Sequence, residues 1–336
     1  MKKPKILVAR AIFPAIIDKL SQHFEVEANP ADTIWSKAEL AQRLGDKVGA
    51  FTTGGERIDA EVLAACPQLK IVANMAVGHN NFDLAAMTAA GVLGTNAPDV
   101  LTETTADMGF ALLMATARRV SESEAFLRAG QWTKWSYDMF AGTDVHGSML
   151  GVLGMGRIGQ AVARRGAHGF GMQVMYHNRS RLNAATEAAC KASYVTKEAL
   201  FRQADHVVVV MPYSPEAHHT VGAQEIGWMK PGANLINIGR GGLIDENALA
   251  DALAANKIAG AGLDVFEGEP TVNPRLLALK NVVLTPHIAS ATVPTRMAMA
   301  NLAADNLIGF LTQGKPLTPL NPSILPAVLS SPAPGP

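Results

Sequence analysis

The sequence predicts an α/β protein made of two parallel-sheet domains, and three observations support this fold class. The chain has 336 residues, a length that suits two domains of ordinary size. Short apolar runs alternate with helical segments, the pattern of a parallel sheet covered by helices on both faces. Hydrophobic residues make up 48% of the chain and charged residues 17%, which supports a sizeable core and excludes a disordered protein.

The first α/β series lies at the start of the chain. Its strands are short apolar runs bounded by polar residues or glycine, and each is followed by a segment with helical periodicity. The predicted strands are residues 5–9, 49–53 and 70–76, and the predicted helices are residues 15–24, 59–65 and 84–90.

A long helix is predicted next, at residues 104–129. It opens with Thr-Glu-Thr-Thr-Ala-Asp, which offers capping hydroxyls and first-turn acids. Residues 108–117 are apolar on nearly every side. Such a helix is buried, either in a domain core or at a subunit interface, and its length favours a homodimer.

A second α/β series begins at residue 149. A last long helix is predicted at residues 293–312, and the tail 321–336 is rich in Pro, Ser and Ala, which predicts a poorly ordered segment. The predicted strands are residues 149–153, 173–176, 206–210, 233–238, 260–265 and 281–284.

The two series predict the domain organisation. We expect one domain at residues 104–289 and a discontinuous domain formed by residues 1–103 and 290–320, if the last helix returns to the first series. Both domains would be Rossmann-like or flavodoxin-like in architecture, with a cleft between them.

Charge and cysteine content exclude several classes of protein. Lys and Arg together number 29, as do Asp and Glu, so there is no basic excess of the kind that nucleic-acid binding requires. Cys66 and Cys190 cannot build a disulfide framework. No apolar run reaches the roughly 18 residues of a membrane helix, and no signal peptide is evident. We therefore expect a cytoplasmic protein with neither a nucleic-acid nor a membrane partner.

A glycine-rich segment predicts a dinucleotide site. Residues 154–159 match G-x-G-x-x-G between an apolar strand and a helical segment. Gly154 would make the tight turn, Gly156 would admit the pyrophosphate, and Gly159 would let the helix pack closely on the strand. The pyrophosphate would then lie at a helix N-terminus. The alternative is a glycine-rich turn that binds nothing. The loop is completed by Met155, Arg157 and Ile158.

The end of the next strand predicts which dinucleotide binds. An NAD site usually carries Asp or Glu here, but this chain has Asn178 followed by Arg179, Ser180 and Arg181. Guanidinium groups can bind a 2′-phosphate through charge-assisted hydrogen bonds. We expect NADP(H) as the cofactor, with NAD(H) used less well. The alternative is that both arginines are only solvated.

Ionisable residues follow three later strands. Arg240 lies just beyond one strand, Asp264 ends the next with Glu269 in the loop after it, and His287 follows a third. Ligands bind outside the carboxyl ends of strands in an open α/β sheet. We therefore expect these four side chains at one edge of the sheet.

These segments together resemble the D-isomer-specific 2-hydroxyacid dehydrogenases, and among them the bacterial glyoxylate/hydroxypyruvate reductases, also called 2-ketogluconate reductases. The resemblance extends over nearly the whole chain up to about residue 320. It rests on residues 76–83, 100–107, 142–146, 153–159, 239–241, 261–266, 269–270 and 286–287.

The resemblance implies a role for each site residue. Arg240 would bind the substrate carboxylate and polarise the keto oxygen, His287 would donate the proton, and Glu269 would hold the imidazole and favour its protonated form. Asp264 would accept a hydrogen bond from the nicotinamide carboxamide. The remaining implied residues are Val77 and Gly78 for the substrate carboxylate, and Thr105, Pro212, Ile238, Gly239 and Ala289 for the cofactor. Ala289 departs from the family, which usually has glycine there.

The sequence also makes predictions for four residues outside this set. Trp135 would either reach the partner's active site and limit substrate size or pack in an ordinary interface, and His79 would line the entrance to the cleft. We expect His218 and His219 to be surface residues, and no metal-ligand spacing is present.

The predicted activity is NADPH-dependent reduction of a small 2-keto acid such as glyoxylate, hydroxypyruvate or 2-ketogluconate. Two alternatives stay open. One is a dehydrogenase of the same fold that acts on phosphite or 3-phosphoglycerate. The other is a dinucleotide-sensing interaction protein of the corepressor type.

Overall fold

The computed structural model describes residues 2–325 of the 336-residue chain. The chain divides into two compact units. The first comprises the residues up to Leu101 together with those from Thr292 onward, and the second is Thr102–Ala291. Both divisions lie a few residues from the boundaries expected from the sequence.

The strands of the described chain are short, as is usual for buried parallel strands. They are β1 (Lys5–Val8), β2 (Glu25–Ala28), β3 (Gly49–Thr52), β4 (Ile71–Asn74), β5 (Leu93–Thr95), β6 (Met149–Leu153), β7 (Gln173–His177), β8 (Ala192–Tyr194), β9 (His206–Val209), β10 (Asn234–Asn237), β11 (Gly260–Leu263) and β12 (Val282–Leu284).

The α-helices alternate with the strands along most of the chain. They are α1 (Pro14–Ser21), α2 (Lys37–Leu44), α3 (Ala60–Ala64), α4 (Leu84–Ala89), α5 (Thr102–Ala117), α6 (Val120–Arg128), α7 (Arg157–Arg164), α8 (Ala184–Cys190), α9 (Lys197–Gln203), α10 (Ala223–Trp228), α11 (Glu246–Ala254), α12 (Pro274–Leu277) and α13 (Val293–Gln313).

Each unit contains one parallel sheet. The first unit has five strands in the order β2-β1-β3-β4-β5, and the second has seven in the order β12-β11-β10-β9-β6-β7-β8. The pairings between these strands are parallel in both sheets. Ile6, Leu7 and Val8 of β1 are completely buried, because helices cover both faces of a parallel sheet. The structure confirms the predicted fold class.

Three short strands, β2, β5 and β8, were not predicted from the sequence. The strand β2 has the sequence Glu-Val-Glu-Ala, in which no residue is buried. Both β2 and β8 lie at sheet edges, where a strand needs little apolar character.

The long helix expected at residues 104–129 is two helices, α5 and α6. Arg119 between them adopts a left-handed conformation with φ 52°, which ends the regular helix. The freed carbonyl of Ala117 accepts the backbone N–H of Thr143 at 2.9 Å instead. Helix α5 packs against its own sheet, since a methyl group on Gly109 would lie 2.7 Å from Cδ1 of Ile238. The apolar character of α5 is therefore explained by burial within the second unit.

The tail begins later than the sequence suggested. The side-chain amide of Asn321 donates to Oγ1 of Thr88 and to the carbonyl of Val92, and its oxygen accepts the N–H of Gly94. Ile324 is buried as well. Residues 321–325 are therefore held by hydrogen bonds and apolar burial, which the Pro-rich composition did not reveal. The rest of the expected tail, residues 326–336, lies outside the described residues.

Among the described residues, no helix combines the length and apolarity needed to cross a membrane.

Candidate active site

The glycine-rich loop connects β6 to α7. Gly154 has φ 104°, and a methyl group there would lie 2.7 Å from the backbone nitrogen of Met211, so only glycine fits this turn. A methyl group on Gly159 would lie 2.2 Å from the carbonyl oxygen of Gly154, which shows how closely the helix approaches the turn. Gly156 is exposed, and a methyl group there would meet nothing within 4 Å.

The start of α7 suits an anion. Gly156 is the N-cap and supplies no side chain to hydrogen-bond the first N–H groups of the helix. Those groups and the helix dipole attract negative charge. The residues present therefore fit a dinucleotide pyrophosphate. Of the other loop residues, Met155 is buried, Arg157 is exposed and Ile158 is partly buried.

Asn178 has a role that the sequence did not reveal. Its side-chain oxygen accepts the backbone N–H of Met155 at 2.6 Å, and so fixes the glycine-rich loop to the end of β7. The hydroxyl of Tyr194 donates to the carbonyl of Asn178 at 3.1 Å. Asn178 therefore holds the loop in shape.

The two arginines after β7 are in different states. Arg181 makes a two-pronged ion pair with Glu187, with Nε–Oε1 and Nη2–Oε2 distances of 2.9 and 2.8 Å. The Arg181 guanidinium and the Tyr176 hydroxyl keep the pKa of Glu187 below its usual value. Arg179 and Ser180 are exposed, and no ion pair joins Arg179 to another residue of the described chain. Arg179 lies near the charge of Glu216 without an ion pair to it, so its guanidinium remains available to an incoming anion.

Asp264 lies at the end of β11 and is completely buried. Its Oδ1 accepts the Thr285 hydroxyl at 2.7 Å and the Ile288 N–H at 2.8 Å, and its Oδ2 accepts the Ala289 N–H at 2.8 Å. Three donors come from the protein, and a carboxylate offers about four acceptor positions. Asp264 anchors the loop that carries His287, a function that the resemblance did not imply.

His287 needs this anchoring because its backbone is strained. It has φ 51°, which for a residue other than glycine costs about 1–3 kcal/mol. The three hydrogen bonds to Asp264 hold Thr285, Ile288 and Ala289, the residues on either side of His287, and so help to maintain this conformation. The loop therefore presents His287 in one defined conformation.

Glu269 holds the imidazole ring of His287. Its Oε2 lies 2.7 Å from Nδ1 of His287, and its Oε1 accepts the N–H of Phe266 at 2.8 Å. Burial opposes ionisation of Glu269, but the hydrogen bonds from His287 and Phe266 and the charge of Arg240 together lower its pKa. An ionised Glu269 can only accept, so the proton of this bond belongs to Nδ1 and Nε2 is left to face a ligand.

Arg240 follows β10 in a turn built by Asn237. The side-chain amide of Asn237 donates to the Arg240 carbonyl at 2.9 Å, and its oxygen accepts the Gly239 N–H at 3.0 Å. Burial lowers the pKa of Arg240, although Glu269 opposes the change. A guanidinium stays charged even so, and a partly buried cation attracts an anion strongly.

The second unit therefore brings Arg240, Asp264, Glu269 and His287 to the carboxyl ends of three adjacent strands, β10, β11 and β12. This is the edge of a parallel sheet where ligands bind. Of the residues expected around the cofactor, Thr105, Ile238, Gly239 and Ala289 are buried in the same unit, and Pro212 is exposed.

Val77 and Gly78 belong to the first unit and follow β4. The side-chain amide of Asn96 donates to the Val77 carbonyl at 2.8 Å, and that of Asn74 to the Gly78 carbonyl at 3.0 Å. Within the described chain, no hydrogen bond uses the N–H of either residue. Nδ1 of His79 is buried without a partner there. The loop thus has three polar atoms that no hydrogen bond of the described chain uses.

Two of the histidines, His218 and His219, lie close to a carboxylate that is distant in the sequence. His218 and His219 lie beside Glu267, with the potential ligand atoms of all three within 4.8 Å of one another. The sequence could not reveal this group, because Glu267 is far from the two histidines along the chain. Trp135 is exposed on the surface of the second unit.

The fold and the site are those of a nucleotide-binding α/β enzyme, and comparison with known proteins agrees. Residues 110–289 match the model of the D-isomer specific 2-hydroxyacid dehydrogenase, NAD binding domain. A glyoxylate reductase of Thermococcus gammatolerans is 46% identical over 327 residues, which cover 96% of this chain and 97% of that protein. A glyoxylate reductase of Aeropyrum pernix is 44% identical, and the aligned residues cover 94% of this chain and 95% of that protein.

A solved structure gives the same result. The NADPH-dependent glyoxylate/hydroxypyruvate reductase of Sinorhizobium meliloti, crystallised with NADP and malonate, is similar with a TM-score of 0.83 at 36% identity. The similarity covers 95% of this chain and 97% of that one. The chain belongs to the D-isomer specific 2-hydroxyacid dehydrogenase family, and it is an oxidoreductase of that family.

Proposed function

We propose that this protein is an NADPH-dependent reductase that converts small 2-keto acids into D-2-hydroxy acids in the cytoplasm. Glyoxylate and hydroxypyruvate are the preferred substrates, and 2-ketogluconate is a longer candidate. The observation that carries the proposal is the 2.7 Å bond between Glu269 and Nδ1 of His287, in the same unit as Arg240. This set provides an anion-binding group and an oriented proton donor at one sheet edge.

The proton step follows from the geometry of His287. Nδ1 is committed to Glu269, so the imidazolium form carries its second proton on Nε2 and can donate it to a keto oxygen. When bound, the nicotinamide cofactor supplies the hydride. The product is the alcohol, and His287 leaves the step as a neutral imidazole that takes up a proton again from solvent.

The substrate carboxylate would be held by Arg240. Its guanidinium can form two parallel hydrogen bonds with a carboxylate and withdraw electron density from the adjacent carbonyl. The N–H groups of Val77 and Gly78, which no hydrogen bond of the described chain uses, are suited to a carboxylate. The unpartnered Nδ1 of His79 supports a role in recognising a hydroxyl group on longer substrates.

The cofactor would be held by the glycine-rich loop and by the residues after β7. The loop has the turn, the open Gly156 and the uncapped helix that a pyrophosphate needs. Arg179 supports NADPH over NADH, because a free guanidinium favours a 2′-phosphate and no carboxylate follows β7 to bind a ribose hydroxyl. A carboxylate has about four acceptor positions, so a fourth position on Asp264, beyond those used by its three protein donors, is proposed for the carboxamide.

The protein would work as a homodimer. Trp132 and Trp135 are 56% and 77% exposed, and Leu127 on α6 is 56% exposed. Three large apolar side chains in one short segment are typical of a surface that is covered in an assembly. Contact of Trp135 with the neighbouring active site would limit substrate size.

A steady-state panel tests the proposal. Glyoxylate, hydroxypyruvate, 2-ketogluconate, phosphite and 3-phosphoglycerate are each assayed with NADPH, or with NADP for the two that can only be oxidised. We expect the highest kcat/KM with glyoxylate or hydroxypyruvate. Turnover of phosphite or 3-phosphoglycerate alone would overturn the substrate class. Tight dinucleotide binding without any turnover would favour the sensing protein instead.

A further inference from the structure

We propose that His218, His219 and Glu267 form a binding site for a divalent transition-metal ion, with zinc the best match to the ligands. Nε2 of His219 lies 2.9 Å from Oε2 of Glu267, and Nε2 of His218 lies 3.7 Å from Oε1. One carboxylate therefore faces two imidazole nitrogens. The three side chains come from two loops, which follow β9 and β11.

The imidazole rings of the consecutive residues His218 and His219 stack on each other. Their centroids are 3.7 Å apart and their planes are inclined by 23°. His219 has φ 51°, a left-handed conformation that turns the backbone so that both rings point the same way. The N–H of His219 donates to the carbonyl of Gly242 at 2.8 Å and holds this turn. The left-handed conformation of His219 is strained, and it brings the two imidazole rings into a stacked pair.

The donor set matches zinc. Imidazole nitrogen and carboxylate oxygen are both normal zinc ligands, and three protein ligands with water in the fourth position make a common tetrahedral site. Two nitrogens on one tetrahedral zinc ion lie about 3.3 Å apart. The potential ligand atoms all lie within 4.8 Å of one another, and the two stacked rings would have to rotate apart for both nitrogens to face one ion. Calcium and magnesium prefer oxygen ligands and would bind poorly.

A neighbouring side chain supports the histidine orientation. The hydroxyl of Tyr213 lies 3.3 Å from Nδ1 of His218, which leaves Nε2 of that ring toward Glu267. Hydrogen bonds of this kind to the second ring nitrogen are typical of metal-binding histidines. A methyl group on Gly242 would lie 2.9 Å from the Tyr213 ring, so the loop packs directly on this backbone.

A bound ion would connect loops that surround the catalytic residues. Glu267 lies two residues before Glu269, and its N–H donates to Oε1 of the buried Glu246 at 2.7 Å. Gly242 lies two residues after Arg240. The ion would therefore fasten the loop after β9 to the loop that carries Glu269, outside the proposed substrate site.

The experiment measures zinc binding to the metal-free full-length protein by calorimetric titration. We expect one zinc ion per chain, and a rise of several degrees in Tm when zinc is in excess over its Kd. Glu267→Gln and His219→Ala should each weaken zinc binding at least about tenfold. His23→Ala removes an exposed histidine from the first unit and should leave zinc affinity unchanged.

Two results would overturn the proposal. One is the absence of stoichiometric zinc binding to the unmodified protein. The other is zinc binding that survives in both variants, which would place the ion elsewhere, for example on His287 and Glu269. Zinc affinity does not depend on turnover, so a failure here would leave the proposed reductase activity untouched.

Discussion

Two regions of the second unit lie at the carboxyl edge of the same sheet. They differ in whether their charged side chains are already paired within the protein. In the loops after β11 and β12, Asp264 and Glu269 are committed to hydrogen bonds within the protein. In the loop after β7, Arg181 is committed to Glu187, whereas Arg179 is exposed. The first region is organised before any ligand arrives, and the second presents an exposed cation that no ion pair of the described chain holds.

This difference matches the demands of the proposed reaction. A proton donor works only if its position and protonation are fixed, and a displacement of about 1 Å can cost 10²-fold in rate. Recognition of an exposed phosphate needs charge more than a rigid position. Substitutions in the first region should therefore lower kcat, and substitutions in the second should raise the KM for the cofactor.

The largest effect is expected from His287→Ala. Loss of the proton donor should lower kcat about 10³-fold, because general acid catalysis contributes about 10²–10⁴-fold. Steady-state kinetics and circular dichroism check the result and the fold. His146→Ala, which removes an exposed histidine from the same unit, is the matched control. A His287→Ala variant with nearly normal kcat would refute the assignment.

Asp264→Asn should have the next largest effect. Asparagine keeps one acceptor oxygen but directs an NH₂ group toward a protein donor, so the loop that carries His287 loses at least one of its three bonds. We expect kcat to fall about 10²-fold, with a smaller change in the KM for the keto acid. The exposed Asp251→Asn serves as the control. An unchanged kcat would mean that Asp264 does not position His287.

Arg179→Ala and Arg181→Ala separate the two arginines of the other region. The first should raise the KM for NADPH about tenfold or more and leave that for NADH unchanged, since a charged hydrogen bond to phosphate is lost. The second should have less effect on KM but should lower Tm slightly, because Glu187 loses its cationic partner and keeps only the Tyr176 hydroxyl. Equal effects on the KM for NADPH would contradict the distinction drawn from the structure.

Glu269→Gln tests the electrostatic coupling by its pH dependence. The pKa of Glu269 is lowered, so its carboxylate is charged throughout the neutral range, and a carboxylate in general favours positive charge on its hydrogen-bond partner. Removing the charge should move the alkaline limb of the kcat profile for reduction to lower pH. A limb that moves to higher pH would reverse the assigned role.

The smallest effect is expected from Glu246→Gln, which concerns stability. Burial raises the pKa of Glu246, with the nearby charge of Glu267 adding to it. A raised carboxyl pKa contributes stability at low pH that is lost as pH rises through the folded value. The variant should therefore lose less stability than the unmodified protein between pH 4.5 and neutrality, as measured by urea unfolding. Parallel pH profiles would show that Glu246 is not a titrating group in the fold.

Much of this arrangement could be predicted from the sequence. The alternation of apolar strands and helices predicted nine of the twelve described strands, and the residues that follow β10, β11 and β12 lie at one sheet edge because parallel strand ends share an edge. The pairing of His287 with Glu269 came from the family resemblance. These predictions depend on local pattern and on topology.

Other features depend on contacts between distant parts of the chain. Nothing in the local sequence showed that Glu187 engages Arg181, that Asn178 fixes the glycine-rich loop, or that Asp264 binds three donors. The left-handed Arg119 that divides α5 from α6 was likewise hidden within a helical pattern. Hydrogen-bond partners are chosen by the folded geometry, and the residue type alone does not identify them.

The most direct test is the ratio of kcat/KM for NADPH to kcat/KM for NADH, measured with glyoxylate as the substrate. This single assay tests both the proposed reduction and the role of Arg179, the exposed cation after β7. We predict a ratio of at least about ten, as expected for one charged hydrogen bond to the 2′-phosphate. Equal values for the two cofactors, or no oxidation of either, would contradict the account.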